Sequence, residues 1–306
     1  MSEYLEVILT GSDGSVWHLS GPDAGEEGVE MRPKPSGLID APLKTLWIKS
    51  AFGSKYQGYK VQRRDVVFSV QIYSTDSEDW RDIDSRFRMA LGDNPDDQFT
   101  LTYITSDGAR SLKLRMLEQP KAYETADYEE HDPFIFGDST LVVTAAAEQP
   151  YWDGGVQPST AEHPKFWTLP SGTSGSGVVW VENPGDVLIW PRWTVTAPSK
   201  WVLPDRSWGQ DLYNHAAEDA NRTVPLPTLL AGEDSDLDNN PQEEPIIAAN
   251  GAPVWQRWGG KAILYPIPPH TPPTPVTVSV SGASAGATVV LELDRWYSRP
   301  WGVTKR

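Results

Sequence analysis

Val66-Val67-Phe68-Ser69-Val70-Gln71-Ile72-Tyr73, followed shortly by Trp80-Arg81-Asp82-Ile83-Asp84-Ser85-Arg86-Phe87-Arg88-Met89-Ala90-Leu91, sets two hydrophobic periods side by side. In the first segment Val66, Phe68, Val70 and Ile72 alternate with their neighbours, the period of a strand with one buried face. In the second, Trp80, Ile83, Phe87, Ala90 and Leu91 fall at helical spacing; Thr75 and Glu78 read as a capping box and Gly92 as the stop. No other stretch makes a convincing helix. Gly and Pro, 25 and 27 residues without a fixed period, punctuate short strands elsewhere, so the fold class is mainly β.

Upstream, Glu6-Val7-Ile8-Leu9 and Val16-Trp17-His18-Leu19 flank Gly11-Ser12-Asp13-Gly14 as a hairpin, and Gly21 to Pro42 reads as an extended loop. Leu43 to Tyr59 predicts a longer hairpin around Gly53-Ser54, carrying Leu46, Trp47, Ile48, Phe52, Tyr56 and Tyr59. Downstream, Phe99, Leu101 and Tyr103 alternate, Ser106-Asp107-Gly108 turns, and Leu112, Leu114 and Met116 alternate again. Thr140 to Thr144 predicts a closing strand.

A length of 306 residues suits two domains. Only Trp17, Trp47 and Trp80 of the 14 Trp precede residue 150, and this shift sets the expected organisation: domain 1–150, a linker over 151–177 containing the Gly/Ser run 171–177, and domain 178–306. In the second domain Val178–Val181, Val187–Thr196, Ala262–Tyr265, Val276–Val280 and Thr288–Leu293 predict a β-sandwich with an inserted loop around 201–250.

The formal charge of −16 argues against a protein that grips nucleic acid through phosphates. The absence of Cys excludes disulfides and thiolate metal sites and fits a reducing cytoplasm. No run approaches the roughly 20 apolar residues of a spanning helix, so a soluble chain without membrane insertion is expected. The five His are scattered, and no nucleophile elbow, phosphate loop or dinucleotide turn is present. Asp234, Asp236 and Asp238 alternate like the start of a calcium loop, but Asn239 and Pro245 stand where Gly and Glu are needed, which leaves a solvated acidic loop. Glu129-Glu130-His131-Asp132 reads as a chance cluster among 42 carboxylates. No catalytic residue, metal or cofactor is expected. The nine Trp from Trp180 to Trp301 read mainly as core, with Trp201 and Trp208, near Lys200 and Arg206, as the candidates for stacking on sugar rings.

The order hairpin, loop, long hairpin, strand, helix, strand hairpin and closing strand resembles the distal tail proteins of long-tailed phages (siphoviruses). The likeness rests on Gly58-Tyr59-Lys60-Val61 leading through Arg63-Arg64 into 66–73, on Trp80 to Arg88, on Leu101 to Arg115 around Asp107-Gly108, and on Gln149-Pro150-Tyr151-Trp152. Glu182-Asn183-Pro184-Gly185-Asp186 with Trp190-Pro191-Arg192-Trp193-Thr194-Val195 is similar to the family's galectin-like sandwich, and 201–250 resembles the longer versions from phages of actinobacteria. The resemblance implies a structural minor tail protein at the virion tail tip, made in the host bacterium's cytoplasm. It implies a homo-hexameric hub between the tail tube protein and the baseplate or fibre proteins, with a ring-forming first domain and a lumen through which DNA passes without specific binding. Leu46, Trp47, Ile48, Phe52, Tyr56 and Tyr59 then become candidate oligomer-interface residues, since unpaired edges of the two N-terminal hairpins are places to add strands from another subunit. The alternative function is recognition of a host-surface glycan through Trp201 and Trp208.

Overall fold

The computed structural model describes residues 5–75, 77–121, 133–241 and 243–303. The chain is mainly β and divides into two compact units, Met1–Gly154 with Tyr297–Val303, and Gly155–Trp296.

Unit 1 is built on one large antiparallel sheet. Its strands are β1 (Glu6–Thr10), β2 (Val16–Ser20), β3 (Val29–Met31), then the pair β4 (Leu43–Ser50) and β5 (Gly53–Val61), β6 (Arg64–Tyr73), and after helix α1 (Trp80–Leu91) β7 (Phe99–Thr105), β8 (Gly108–Met116) and β9 (Asp138–Ala147). The order across the sheet is β2-β1-β7-β8-β9-β6-β3, and β4–β5 stands apart as its own two-stranded ribbon. Strand β6 alternates as its sequence demands, with Val66, Phe68, Val70 and Ile72 inward, and pairs along its whole length with β9. Helix α1 lays Trp80, Ile83, Phe87, Ala90 and Leu91 on the sheet, with Phe87 edge-on to Trp17 at 5.1 Å.

Three local expectations are corrected. The helix cap is Asp79, whose carboxylate accepts from the Arg81 amide at 3.1 Å; Thr75 Oγ1 instead accepts from the Glu78 amide, one turn too early to cap the helix. The stretch 21–42 is not all loop, because Val29–Met31 completes the sheet beside β6 and Leu38 is buried. The first hairpin offers fewer open edges than expected: β1 is paired on both sides, by β2 and β7, so only β2 lies at a sheet margin.

Strand β10 (Trp152–Val156) follows, pairing with β8 through Asp153 opposite Ser111. Unit 2 is a sandwich of two sheets. One orders β11 (Phe166–Thr168), β19 (Thr288–Glu292), β13 (Arg192–Val195), β16 (Ser235–Asp238) and β17 (Ile247–Ala248); the other orders β12 (Ser174–Asn183), β18 (Thr271–Ser281), β14 (Lys200–Pro204) and β15 (Thr223–Pro225). A last short strand, β20 (Asp294–Tyr297), ends the element order. Val179, Val181, Trp193, Trp201, Leu203, Val278 and Leu291 belong to the core between the sheets.

Here the linker and insert readings fail. Residues 151–177 hold β10, β11 and the start of β12, and 201–250 supplies nearly all of β14 together with β15, β16 and β17. The Gly/Ser run misled because two of its three glycines, Gly175 and Gly177, are packing devices: a Cβ on Gly177 would lie 2.1 to 2.2 Å from the Trp167 ring, so the indole needs a bare backbone beneath it. Conversely Ala262–Tyr265, apolar enough for a strand, is irregular; the amides of Leu264 and Tyr265 donate to the Asp205 carboxylate at 2.9 and 3.0 Å instead of to a ladder.

Candidate functional site

The feature of unit 1 that its own core does not explain is the β4–β5 ribbon. The two strands pair only with each other among the described residues, from Leu43 opposite Val61 to Ser50 opposite Gly53. Nearly every side chain is exposed: Phe52 is 99% accessible, Tyr59 60% and Trp47 58%. The turn is Ala51-Phe52, two residues earlier than Gly53-Ser54; Gly53, at φ 98°, opens the second strand.

The register assigns the side chains to two faces. Leu43, Thr45 and Trp47 share one with Val61, Tyr59 and Tyr56. Trp47 and Tyr56 meet edge to face at 5.3 Å, and Trp47 Nε1 donates to Thr45 Oγ1 at 3.0 Å, so the aromatic face is ordered although nothing covers it. The opposite face carries Lys44 directly across from Lys60, Leu46 across from Gly58, and Ile48 across from Lys55. Of the six candidate interface residues, then, Trp47, Tyr56 and Tyr59 share one face, Leu46 and Ile48 the other, and Phe52 stands at the tip.

The root of this arm is held by a residue whose role the sequence did not disclose. Arg64, 1% exposed, donates from Nε to the Pro150 carbonyl at 2.6 Å and from Nη1 to the carbonyls of Gly37, Leu38 and Asp40 at 2.9, 3.0 and 3.2 Å. Its Nη2 donates to the Ser298 carbonyl at 2.9 Å. One guanidinium thus ties the chain just before β4 to the residue just after β5 and to the segment 297–303, and the Gln62 amide closes the ring on Pro42 O at 3.0 Å. Burial lowers the Arg64 pKa to about 10, which keeps it charged at neutral pH. Gly37 is required beside it, since a Cβ there would sit 1.9 Å from Asp65 O and its φ is 77°.

The glycan candidates separate. Trp201 is fully buried in the unit 2 core, with Nε1 donating to Thr196 O at 3.0 Å, so it presents no face to a sugar. The alternation Trp201, Leu203 along β14 was the signal that it points inward. Trp208 is half-buried against the same core; the exposed Trp of unit 2, among the described residues, is Trp255. A groove of about 330 Å³ in unit 2 is lined by Glu182, Asn183, Pro184, His270 and Thr271 to Pro273, without Trp.

The acidic motifs are engaged structurally. Asp234 accepts from the Ala197 amide at 2.7 Å, Asp236 from Thr194 Oγ1 at 2.7 Å and Asp238 from the Asn240 amide at 2.9 Å, and 235–238 is strand β16, not a solvated loop. Glu129-Glu130-His131-Asp132 lies outside the described residues. His18, Glu26 and Glu27 converge, but both Glu27 oxygens are taken by the His18 amide and Nδ1 at 2.8 and 2.7 Å, which makes the group a staple on the loop after β2.

The fold is similar to that of the Dit protein of phage SPP1, described as a paradigm of the hub adsorption apparatus in phages infecting Gram-positive bacteria, which matches 95% of this chain and 98% of its own at a TM-score of 0.54 and 11% identity. No family model matches the sequence. In sequence the chain is 29% identical to minor tail protein Gp27 of Mycobacterium phage D29 and 28% identical to minor tail protein Gp27 of Mycobacterium phage L5, each over 97% of this chain and 98% of the relative.

Proposed function

We propose that this chain is a structural subunit of a phage tail tip: a homo-hexameric distal tail hub, placed between the tail tube protein and the baseplate or fibre proteins, with a lumen through which the genome leaves. The role is structural and not enzymatic, in keeping with relatives named as minor tail proteins. The observation that carries the assembly reading is the unpaired β4–β5 arm. A lone two-stranded ribbon is marginal in water, and each large apolar side chain it exposes gains about 1.5–3 kcal/mol on burial, so a neighbouring molecule completes it. In a closed ring of six copies a formal −96 of charge would let DNA pass without sticking where carboxylates face the lumen.

Negative-stain images of the purified protein should show six-fold particles with a central hole, and Trp47→Ala with Tyr59→Ala should disperse them. A chain that stays monomeric at high concentration and also fails to co-purify with tail components would refute the hub. Glycan recognition through unit 2 is the weaker alternative, since Trp201 is buried and Trp208 half-buried.

A further inference from the structure

The arm differs from the rest of the chain in charge as well as in exposure. Residues 43–61 contain Lys44, Lys49, Lys55 and Lys60 and no Asp or Glu, while the remainder holds 22 basic and 42 acidic side chains. A segment of +4 therefore projects from a body of −20. Three of these lysines, Lys44, Lys55 and Lys60, share the face opposite the aromatic one, and Lys44 stands directly across from Lys60 in the ladder. Like charges at paired positions destabilise a ribbon. All four lysines are exposed, and among the described residues none of them forms a hydrogen bond or ion pair to a carboxylate.

We infer that the lysine face of the arm docks on carboxylates of a second copy of this chain, so that the two faces of one ribbon do separate work: the aromatic face removes apolar surface from water, and the basic face selects and orients the neighbour. The inference rests on the assembly reading above and adds the chemistry of the contact. Charge complementarity names the occupant. The body offers the opposite sign in large excess, and a partner carboxylate between Lys44 and Lys60 turns a repulsive pair into two attractive ones. A nucleic acid, the other polyanion at hand, would have to approach a body of −20 to reach four lysines. The contact is heterologous, arm of one copy onto body of the next, because two arms or two bodies repel.

Zero-length carbodiimide coupling of an equal mixture of ¹⁵N-labelled and unlabelled full-length protein tests this, since it joins only a lysine and a carboxylate already in contact. Mixed-isotope amides from Lys44, Lys55 or Lys60 to Asp or Glu are expected. Lys44→Glu with Lys60→Glu should abolish them and weaken self-association at least about tenfold, and raising salt from about 0.05 to about 0.5 M should weaken the wild type similarly. Lys44→Gln with Lys60→Gln should fall between. These side chains are exposed and form no ion pair among the described residues, so the variants should fold, as an unchanged melting curve of the monomer would verify. Self-association that is indifferent to both charge reversal and salt would overturn the electrostatic docking while leaving the hub intact. Absence of self-association in every condition would overturn the docking, and with a failure to co-purify with tail components it would remove the hub as well. Arm lysines that couple only within their own copy, or that a DNA duplex protects from coupling, would likewise overturn the choice of partner.

Discussion

Replacing Arg64 by Met keeps the apolar stem and removes the guanidinium, which tests whether the arm root is fixed by the clamp. Five donor contacts to the carbonyls of Pro150, Gly37, Leu38, Asp40 and Ser298 are lost together. Hydrogen bonds to a charged donor are worth about 1.5–3 kcal/mol each, but water reaches the part-buried carbonyls and recovers some of that. Leu38 O keeps a second partner, the Trp152 indole at 2.9 Å. The net cost is then about 3–5 kcal/mol, the range for breaking a buried charged network. For a unit of this size that corresponds to a melting point lower by about 10 °C. Calorimetry of the full chain should show unit 1 shifting while the unit 2 transition stays. Arg64→Lys should recover little, because one ammonium cannot address carbonyls on three separate segments. A loss under about 3 °C would mean that the clamp contributes orientation only, and the reasoning on stability would be wrong.

Further outcomes follow from the same geometry. Gly177→Ala should destabilise unit 2 by about 1–3 kcal/mol in denaturant titration, since the new methyl meets the Trp167 ring inside contact distance. Trp201→Ala should cost about 3–5 kcal/mol of unit 2 stability and leave any quenching of Trp fluorescence by cell-wall polysaccharide unchanged, whereas a sugar-stacking residue would do the reverse. The His18 pKa is raised, first by its hydrogen bond to Glu27, so its contribution is full below the unfolded value near 6.5 and fades as pH climbs through the folded value. NMR titration should place His18 above 6.5, and the stability difference between wild type and His18→Gln should shrink as pH rises above 6.5.

The strands and helix of unit 1 were legible because each buries one face of a simple period: Val66 to Ile72 at two, Trp80 to Leu91 at 3.6. The long hairpin was legible too, through its aromatic and β-branched content, although the turn slid by two residues because Gly53 supplies a positive φ after the turn and not within it. What composition concealed were places where a residue serves a partner distant in sequence. Gly175 and Gly177 look like linker until Trp167 is seen lying on them. Asp234, Asp236 and Asp238 look like an acidic loop until their backbone and hydroxyl donors are found. Arg64 looks like half of a basic dipeptide, yet Arg63 is a surface residue paired with Asp65 while Arg64 is interior. Nothing local distinguishes the two except that Arg64 starts the inward set of β6, two positions before Val66.

That position connects the clamp to assembly. A heterologous contact repeated around an axis closes only if each arm leaves its body at one fixed angle; a loose root lets successive copies drift and favours open chains. Under the proposed function the apolar surface and the lysines of β4–β5 would supply attraction but no angle, because a lone ribbon is free to swing about its root. Arg64, which joins the chain before β4 to Pro150 and Ser298 of the body, would supply that angle. Under the proposed function, then, Arg64→Met should leave arm docking largely intact and broaden the distribution of particle sizes, with fewer closed rings and more open or irregular ones by negative stain. Substitutions on the ribbon faces should instead lower the assembled fraction without changing the shape of the particles that remain.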